Sequence, residues 1–215
     1  MKRLILLFLT IPMYFTGIAQ DFTGKSVALY QFSLDFNIQN DQGEMNTKDY
    51  LKEYGTKMKT RALEAMYKIM VPFVAEEIEK KQAILMPCDE LAAIKSNSYG
   101  VPNMMINKAV KSCEKADYFI RIVIKDITVI NPDAQQTDLL IKMRTITMRC
   151  RINLLDRDKN PVKELEGFFN SGETIENHRK IGIDPRKITG PEREQEMKVY
   201  ESCCKMAFLK AMDKW

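Results

Sequence analysis

The chain has 215 residues, which is long enough to bury one substantial hydrophobic core and fits a single domain. Its formal net charge is +4 and falls to +2 once Lys2 and Arg3 are removed with the leader described next. A charge so close to balance gives no general attraction to nucleic acid or to an anionic membrane, so neither is expected as a partner. The five cysteines show no ladder of spacings that would indicate a disulfide scaffold.

Residues 1–20 have the pattern of a cleavable signal peptide, with a positive start, an apolar run over residues 4–15 and an exit after Ala19 or Gln20. The apolar run is short for a membrane span and contains a proline, so a retained N-terminal anchor is the weaker alternative. No cysteine stands near the exit, which argues against a lipid anchor. The pattern predicts an exported bacterial protein, periplasmic or associated with the outer membrane, with an extracellular location as a further alternative. A single globular domain then covers residues 21–215, with no transmembrane span.

The first predicted elements are a strand, a long helix and a short second strand. Residues 26–39 alternate between apolar and polar side chains, which predicts a strand whose buried face carries Tyr30, Phe32, Leu34, Phe36 and Ile38. After a polar turn at residues 40–44, apolar residues recur at helical spacing as far as Lys81, and Pro72 must either kink this helix or begin a second one. Residues 83–86 predict a buried strand, and Asp89 can cap a short helix that ends at Ile94.

The middle of the chain is predicted to form a loop, a helix and a long strand. Residues 96–103 are the most loop-like stretch after the leader, and a helix follows to about Glu114. From residue 118 the alternation places Arg121 and Lys125 on one face of a strand and, on the other face, Tyr118, Ile120, Ile122 and Ile124.

The last part of the chain is predicted to form two long strands and a helix. In the strand at residues 139–155 the apolar phase changes from odd to even positions, which predicts a bulge or bend near Arg144 and Thr145. A polar hairpin at residues 156–161 leads into a strand at residues 162–174, and residues 175–190 are polar and irregular. Pro191 opens the last helix, whose apolar stripe consists of Met197, Tyr200, Cys204, Ala207, Phe208 and Ala211.

The predicted order of elements is β-α-β-α-α-β-β-β-α. This order indicates an α/β fold of the α+β type with a mixed sheet, whose parallel part comes first and whose antiparallel meander comes second. The helices are expected to pack on the sheet and cover it.

The sequence contains no motif for catalysis, metal binding or cofactor binding. His178 is the only histidine, and no Cys-x-x-Cys pair accompanies it as a zinc site would require. A Gly-x-Ser-x-Gly elbow and a glycine-rich phosphate loop are also missing. Residues 156–160 imitate the start of a calcium loop, but Pro161 and Gly167 stand where a glycine and a glutamate are needed, so a turn is expected. We therefore expect no enzymatic activity and no cofactor; a hydrolase would have as carboxylates only Asp35, Glu164 and Glu166.

The cysteines are interpreted as small buried side chains, and they are Cys88, Cys113, Cys150, Cys203 and Cys204. The last two are neighbours, but on a helix their side chains point about 100° apart, so a bond between them would be strained. One long-range disulfide that involves Cys88 or Cys113 is the alternative.

The predicted contact residues are Arg121, Arg149, Arg151, Tyr99 and Val101. The arginines belong to a basic stripe along neighbouring strands, which suits an acidic partner, a phosphorylated glycan or a lipid head group. The simpler interpretation is a solvated strand face whose charges pair with Glu164 and Glu166 of the adjoining strand. Tyr99 and Val101 are apolar residues in a predicted loop without a periodic core position, which favours a contact role.

Three stretches together resemble a known group of envelope domains. They are residues 27–32 of the opening strand, Ala116-Asp117-Tyr118 before the long strand, and residues 146–156, which end in Leu154-Leu155-Asp156 before a polar hairpin. This order is similar to that of the amino-terminal domain of TolB, the curli-secretion lipoprotein CsgG, and outer-membrane activators of penicillin-binding proteins. The chain departs from those families by lacking a lipid-attachment cysteine and the glycine that usually follows the Ala-Asp-Tyr strand, so no family site residue is carried over.

The resemblance implies a non-enzymatic domain that binds other cell-envelope proteins or assembles into rings. We therefore expect a secreted or periplasmic envelope protein that acts as a protein-binding or assembly module, with other envelope proteins or itself as partner. The alternative is a periplasmic protein that binds a glycan or lipid through its basic strand face.

Overall fold

The computed structural model describes residues 22–35, 39–40, 43–44, 56–86, 100–127, 142–177 and 190–215. Its strands are β1 (Ser26–Asp35), β2 (Gln39–Asn40), β3 (Gly43–Glu44), β4 (Ile84–Leu85), β5 (Tyr118–Asp126), β6 (Lys142–Asp156) and β7 (Pro161–Asn177). Its helices are α1 (Thr56–Lys80), α2 (Ile106–Ser112) and α3 (Gly190–Met212). Outside the described residues lie the predicted signal peptide, the predicted helix at residues 89–94, Cys88, Tyr99 and His178.

The main sheet has five strands in the order β4-β1-β5-β6-β7. β1 is parallel to both β4 and β5, whereas β5, β6 and β7 form an antiparallel meander. β2 and β3 pair with each other as a short hairpin at the predicted polar turn. The predicted α+β fold with a mixed sheet is therefore confirmed.

The main core lies between one face of the sheet and helices α1 and α3. The predicted alternation is observed in β5 and β6, because the even-numbered residues from Ile120 to Ile124 and from Ile146 to Leu154 are buried there. The predicted stripe of α3 is also buried, with Tyr200, Cys204, Ala207, Phe208 and Ala211 in the same core. Within the part of the chain that the model describes, no helix is both long and apolar enough to cross a membrane.

Helix α1 runs through Pro72 as one element, which excludes a second helix, one of the two alternatives predicted for this proline. Proline lacks the N–H that would bond to the carbonyl of Lys68 one turn earlier. Pro72 is exposed, whereas the opposite side of α1 buries Met70 and Val74. Water can therefore replace the missing donor on the solvent side, and the helix continues.

A bulge at Tyr30 changes the face of the sheet that the β1 side chains occupy. Leu29 and Gln31 pair with consecutive residues of β5, so Tyr30 is an extra residue in β1. Tyr30 therefore packs in a second, smaller core under α2, whereas Phe32 and Leu34 pack in the main core. The prediction that Tyr30 shares a face with Phe32 and Leu34 is wrong, because alternation of side chains does not reveal an inserted residue.

The edge strand β4 is less buried than its apolar composition predicts. Ala83 and Met86, at the two ends of the predicted strand, are buried, but Ile84 is 55% exposed. β4 pairs only with the first residues of β1 and has no strand beyond it in the sheet order. Its position at the edge explains the exposure, since one side of an edge strand lacks a neighbour.

The β6–β7 ladder contains the irregularity predicted near Arg144 and Thr145. The step from Thr145 to Thr147 on β6 is matched by a longer step from Thr174 to Asn170 on β7, so the extra residues lie on β7. The sequence of β6 shows the change from odd to even apolar positions, but the inserted residues that accompany it lie in β7. Between the two strands, Asp156 accepts hydrogen bonds at 2.8 and 3.0 Å from Asn160, which confirms the predicted hairpin turn.

Asp117 fastens the start of β1 to the start of β5. Its carboxylate accepts hydrogen bonds from the Ser26 backbone N–H at 2.8 Å and the Ser26 hydroxyl at 2.9 Å. The backbone hydrogen bond from Ser26, together with the Ser26 hydroxyl and the charge of Lys25, holds the pKa of Asp117 below its usual value. The aspartate of the Ala-Asp-Tyr stretch therefore has a structural role, because it links two parallel strands through hydrogen bonds.

We expect Asp117→Asn to lower the free energy of unfolding at pH 7 by about 1 kcal/mol, because the Asp117 side chain is 42% exposed and solvent weakens its bonds. A depressed carboxyl pKa stabilises the fold above the pKa of the unfolded state, about 4, and this contribution is lost as the pH falls through the folded value. Urea titrations between pH 3 and 7 should therefore show the two proteins converging below about pH 4. Asp158→Asn, in the exposed hairpin turn, is the control and should change little; a pH-independent gap for Asp117→Asn would contradict this structural role.

Candidate binding face

Among the described residues, helices α1 and α3 pack on one face of the β5–β7 meander, and no helix packs on most of the opposite face. We call this surface the open face; on the side opposite the main core it carries Arg121, Val123 and Lys125 of β5, Arg149, Arg151 and Asn153 of β6, and Glu164, Glu166 and Phe168 of β7. The alternation that buries the even-numbered residues of β5 and β6 directs the odd-numbered ones to this face. The second core under α2 covers the β1 part of the same surface and extends to Phe119 at the start of β5 and Leu155 at the end of β6, so the open face begins beyond these two residues.

The ladder register arranges the open face in rows across the strands. One row is Arg121, Asn153 and Glu164, the next is Val123, Arg151 and Glu166, and the third is Lys125, Arg149 and Phe168. Cations therefore lie on β5 and β6, and the acidic residues of the face lie on β7. The three arginines predicted as contact residues are brought together by this register.

Glu166 neutralises part of the basic stripe. Its Oε1 lies 2.6 Å from Nε of Arg151 and 3.7 Å from Nε of Arg149. These are the opposite-charge pairs that the simpler interpretation of the stripe predicts, and at this exposure they stabilise the sheet only modestly. Arg121 has no ion pair among the described residues. Burial raises the pKa of Tyr30, and the positive charge of Arg121 opposes that rise in part.

A groove of about 480 Å³ crosses the open face. Its walls combine two arginines with two glutamates, and its floor includes one amide and two apolar residues; the lining residues are Arg121, Arg151, Glu164, Glu166, Asn153, Val123 and Leu165. In the next row, Phe168 is 50% exposed. The face therefore offers both charged groups and one apolar anchor.

Val101 does not belong to this surface, and its prediction as a contact residue is wrong. The Phe32 N–H donates to the Pro102 carbonyl at 3.1 Å, and the Met104 N–H donates to the Tyr30 carbonyl at 3.1 Å. The segment after Gly100 is thus hydrogen-bonded along the edge of β1. The side chain of Val101 is fully buried there in the main core. Sequence spacing could not indicate this burial, because the segment has no strand or helix period of its own. Tyr99 lies outside the described residues.

The carboxylates that a hydrolase would need are separated by the fold. Glu164 and Glu166 lie on β7, whereas Asp35 lies at the end of β1, with β5 and β6 between them. Asp126 is a further carboxylate that sequence reasoning missed; it is fully buried and accepts a hydrogen bond from the Tyr200 hydroxyl at 3.1 Å. Because its side chain lies inside the main core rather than on the open face, Asp126 has a packing environment and not a ligand-binding one.

The cysteines within the described ranges are buried, as predicted for small apolar side chains; they are Cys113, Cys150, Cys203 and Cys204. Burial raises the pKa of the Cys150 thiol and of the Cys204 thiol, so both remain protonated and unreactive at neutral pH. The Cys113 thiol lies 3.3 Å from the Met86 sulfur. Cys113 is in the thiol form, so the predicted disulfide through Cys113 is not formed, and the alternative through Cys88 lies outside the described residues.

No family model matches the chain, and no curated protein sequence matches it significantly. Among solved structures, the chain is similar to a neuraminyllactose-binding hemagglutinin homologue from Helicobacter pylori, with a TM-score of 0.41 and 10% identity over 91% of this chain and 84% of that one. It is also similar to a lipoprotein from Neisseria meningitidis, with a TM-score of 0.32 and 10% identity over 83% of this chain and 96% of that one. Likeness at this level assigns neither a family nor a ligand, and the resemblance to TolB and CsgG stays a prediction.

Proposed function

We propose that the chain is a non-enzymatic, exported protein of the cell envelope that binds a protein partner through the open face. One observation carries the proposal: helices α1 and α3 cover one face of the meander, and the other face presents a grooved, mixed-charge surface with the exposed ring of Phe168. Arginine and aromatic side chains are enriched in protein interfaces, and Phe168 stands next to Arg149 in one row.

The charge pattern favours a protein over a simple anion. Glu166 already binds Arg149 and Arg151, and Glu164 adds a second negative charge to the groove wall. A bare phosphate or sulfate would meet these carboxylates as well as the guanidinium groups. A protein partner that carries charges of both signs can pair with the cations on β5 and β6 and with the acidic residues on β7.

We expect a photo-crosslinking amino acid at position 168 to form a covalent adduct with a specific protein in intact cells. Phe168 is half exposed on the open face, so a reactive ring there should reach the partner. The matched control carries the same group at Lys108, an exposed position on α2. Mass spectrometry of the adducts checks the result, and equal adducts from both positions, or none from position 168, would contradict the proposal.

A glycan or lipid ligand is the second candidate, and the groove is the observation that favours it. Its volume of about 480 Å³ falls within the range of small-ligand sites. Charge reversal at Arg149 and Arg151 should then abolish retention of the glycan or lipid. Unchanged retention by the double variant would exclude this use of the face.

A further inference from the structure

We propose that the protein partner of the open face is a second copy of this chain, with two open faces stacked about a two-fold axis parallel to the strands. This inference rests on the proposed function, because it identifies the partner of the same surface. The observation behind the inference is the position of positive and negative side chains within the rows of the open face.

Two charges of opposite sign that make no ion pair with a described residue stand at opposite ends of one row. Arg121 on β5 and Glu164 on β7 are both exposed, and neither makes an ion pair with any described residue. Asn153 lies between them on β6. In contrast, the cations on β6, Arg149 and Arg151, have Glu166 as an internal partner.

A two-fold axis along the strands reverses the order β5-β6-β7 in the facing copy and leaves the rows in place. Arg121 then lies opposite Glu164 of the second copy, and Glu164 lies opposite Arg121 of the second copy. The amides of the two Asn153 side chains meet in the middle, where each can donate and accept. One row is therefore complementary to itself, as an isologous interface requires.

On β6 the same axis brings Arg149 and Arg151 opposite their own counterparts, and Glu166 of each copy offsets part of that like charge. The reversal places the Lys125 ammonium over the Phe168 ring of the second copy, which is the geometry of a cation–π contact. Strands related by this axis run in the same direction, as they do in aligned sheet packings. Two contacts in different rows, Arg121 with Glu164 and Lys125 with Phe168, thus support one symmetry axis.

Pairing through the face is favoured over pairing through the edge of β7. The Lys214 ammonium donates to the outward Glu166 carbonyl at 2.5 Å and so occupies the middle of that edge. A cationic side chain on an edge strand is a common protection against strand addition. Lys214 thus occupies one carbonyl of this edge, whereas it leaves the open face accessible.

The contact area sets the expected strength. Three adjacent strands, spaced about 4.8 Å apart, make a narrow patch that is smaller than the roughly 800 Å² per partner of a standard interface. Because its energy depends on ion pairs at the surface, the dimer should be weak and sensitive to salt.

Sedimentation velocity of the purified protein over a concentration series tests the inference. We expect a monomer–dimer equilibrium at about 0.05 M salt whose dissociation constant rises at least about tenfold at about 0.5 M salt. Arg121→Glu alone places Glu against Glu164, and Glu164→Arg alone places Arg against Arg121, so each variant should be monomeric under the conditions in which the wild type dimerises. Lys108→Glu makes the same charge change as Arg121→Glu on the exposed surface of α2 and should dimerise normally.

A mixture of the two single variants is the decisive sample. Arg121→Glu in one copy faces Glu164→Arg in the other, and the second contact is the unaltered Arg121–Glu164 pair, so the mixture should form heterodimers. A wild type that is monomeric at all salt concentrations, or a mixture that stays monomeric while the wild type dimerises, would overturn the inference. The proposed function is tested separately, because an adduct from position 168 to a different protein would uphold it while excluding the second copy.

Discussion

Gly167→Ala is expected to lower the free energy of unfolding by about 3 kcal/mol or more. A Cβ atom at Gly167 would lie 2.3 Å from the Ala207 carbonyl oxygen, 2.3 Å from the Ala211 backbone nitrogen and 2.7 Å from the Lys210 carbonyl carbon. These are helix backbone atoms, so no side-chain rotation can relieve the clash. Helix α3 would have to move away from β7, and the core under both elements would open.

The effect of Gly167→Ala can be separated from the general cost of replacing a glycine. Gly100 has a positive φ of 77° and nothing near its missing Cβ, so Gly100→Ala should cost only about 1 kcal/mol through backbone strain. Urea unfolding can be followed by the fluorescence of Trp215, the single tryptophan, whose ring packs 5.1 Å from that of Phe22. Equal losses for the two variants would show that α3 does not rest directly on β7.

Phe208→Ala should destabilise the protein by about 3–5 kcal/mol, because it removes a ring from the centre of the main core. Phe208 is fully buried on α3, and its ring centroid lies 6.0 Å from that of Phe73 on α1. The substitution removes this contact between the two helices and leaves a cavity that the rigid sheet cannot close.

Phe168→Ala is the matched control for Phe208→Ala, since it deletes the same ring from an exposed site. We expect it to change the free energy of unfolding by less than about 0.5 kcal/mol. Calorimetry or urea unfolding of both variants checks the pair. A large loss of stability from Phe168→Ala would contradict the assignment of this residue to the open face and would also weaken the proposed function.

The open face could be predicted from the sequence only in part, as its arginines and Phe168 show. The sequence places Arg121, Arg149 and Arg151 on strand faces opposite the buried residues, and the structure confirms that they share one surface. Phe168 carries no such signal, because an aromatic residue in a strand is expected to be buried. Its exposure depends on the bulges that set the register of β7, and these can be located only when both strands of the ladder are seen.

Gly167 is a second residue whose importance the sequence indicates only weakly. A glycine inside a predicted strand is a general signal for close approach of another backbone. The approaching element, however, is α3, which follows β7 only after the polar segment at residues 178–189. Small residues at Ala207 and Ala211 complete the contact, and their spacing of one helical turn is recognisable once the glycine is known to face them.

The sequence by itself determined the types and order of the main elements, the faces of β5, β6 and α3 that enter the core, and the hairpin at residues 156–161. These features follow from the period of apolar residues and from local turn chemistry, which act over a few neighbouring residues. The tertiary structure alone decided the placement of Tyr30 under α2, the burial of Val101 at the edge of β1, and the side of the meander on which none of the described helices packs. Each of these depends on inserted residues or on contacts between distant segments, and such contacts leave no periodic trace in the chain.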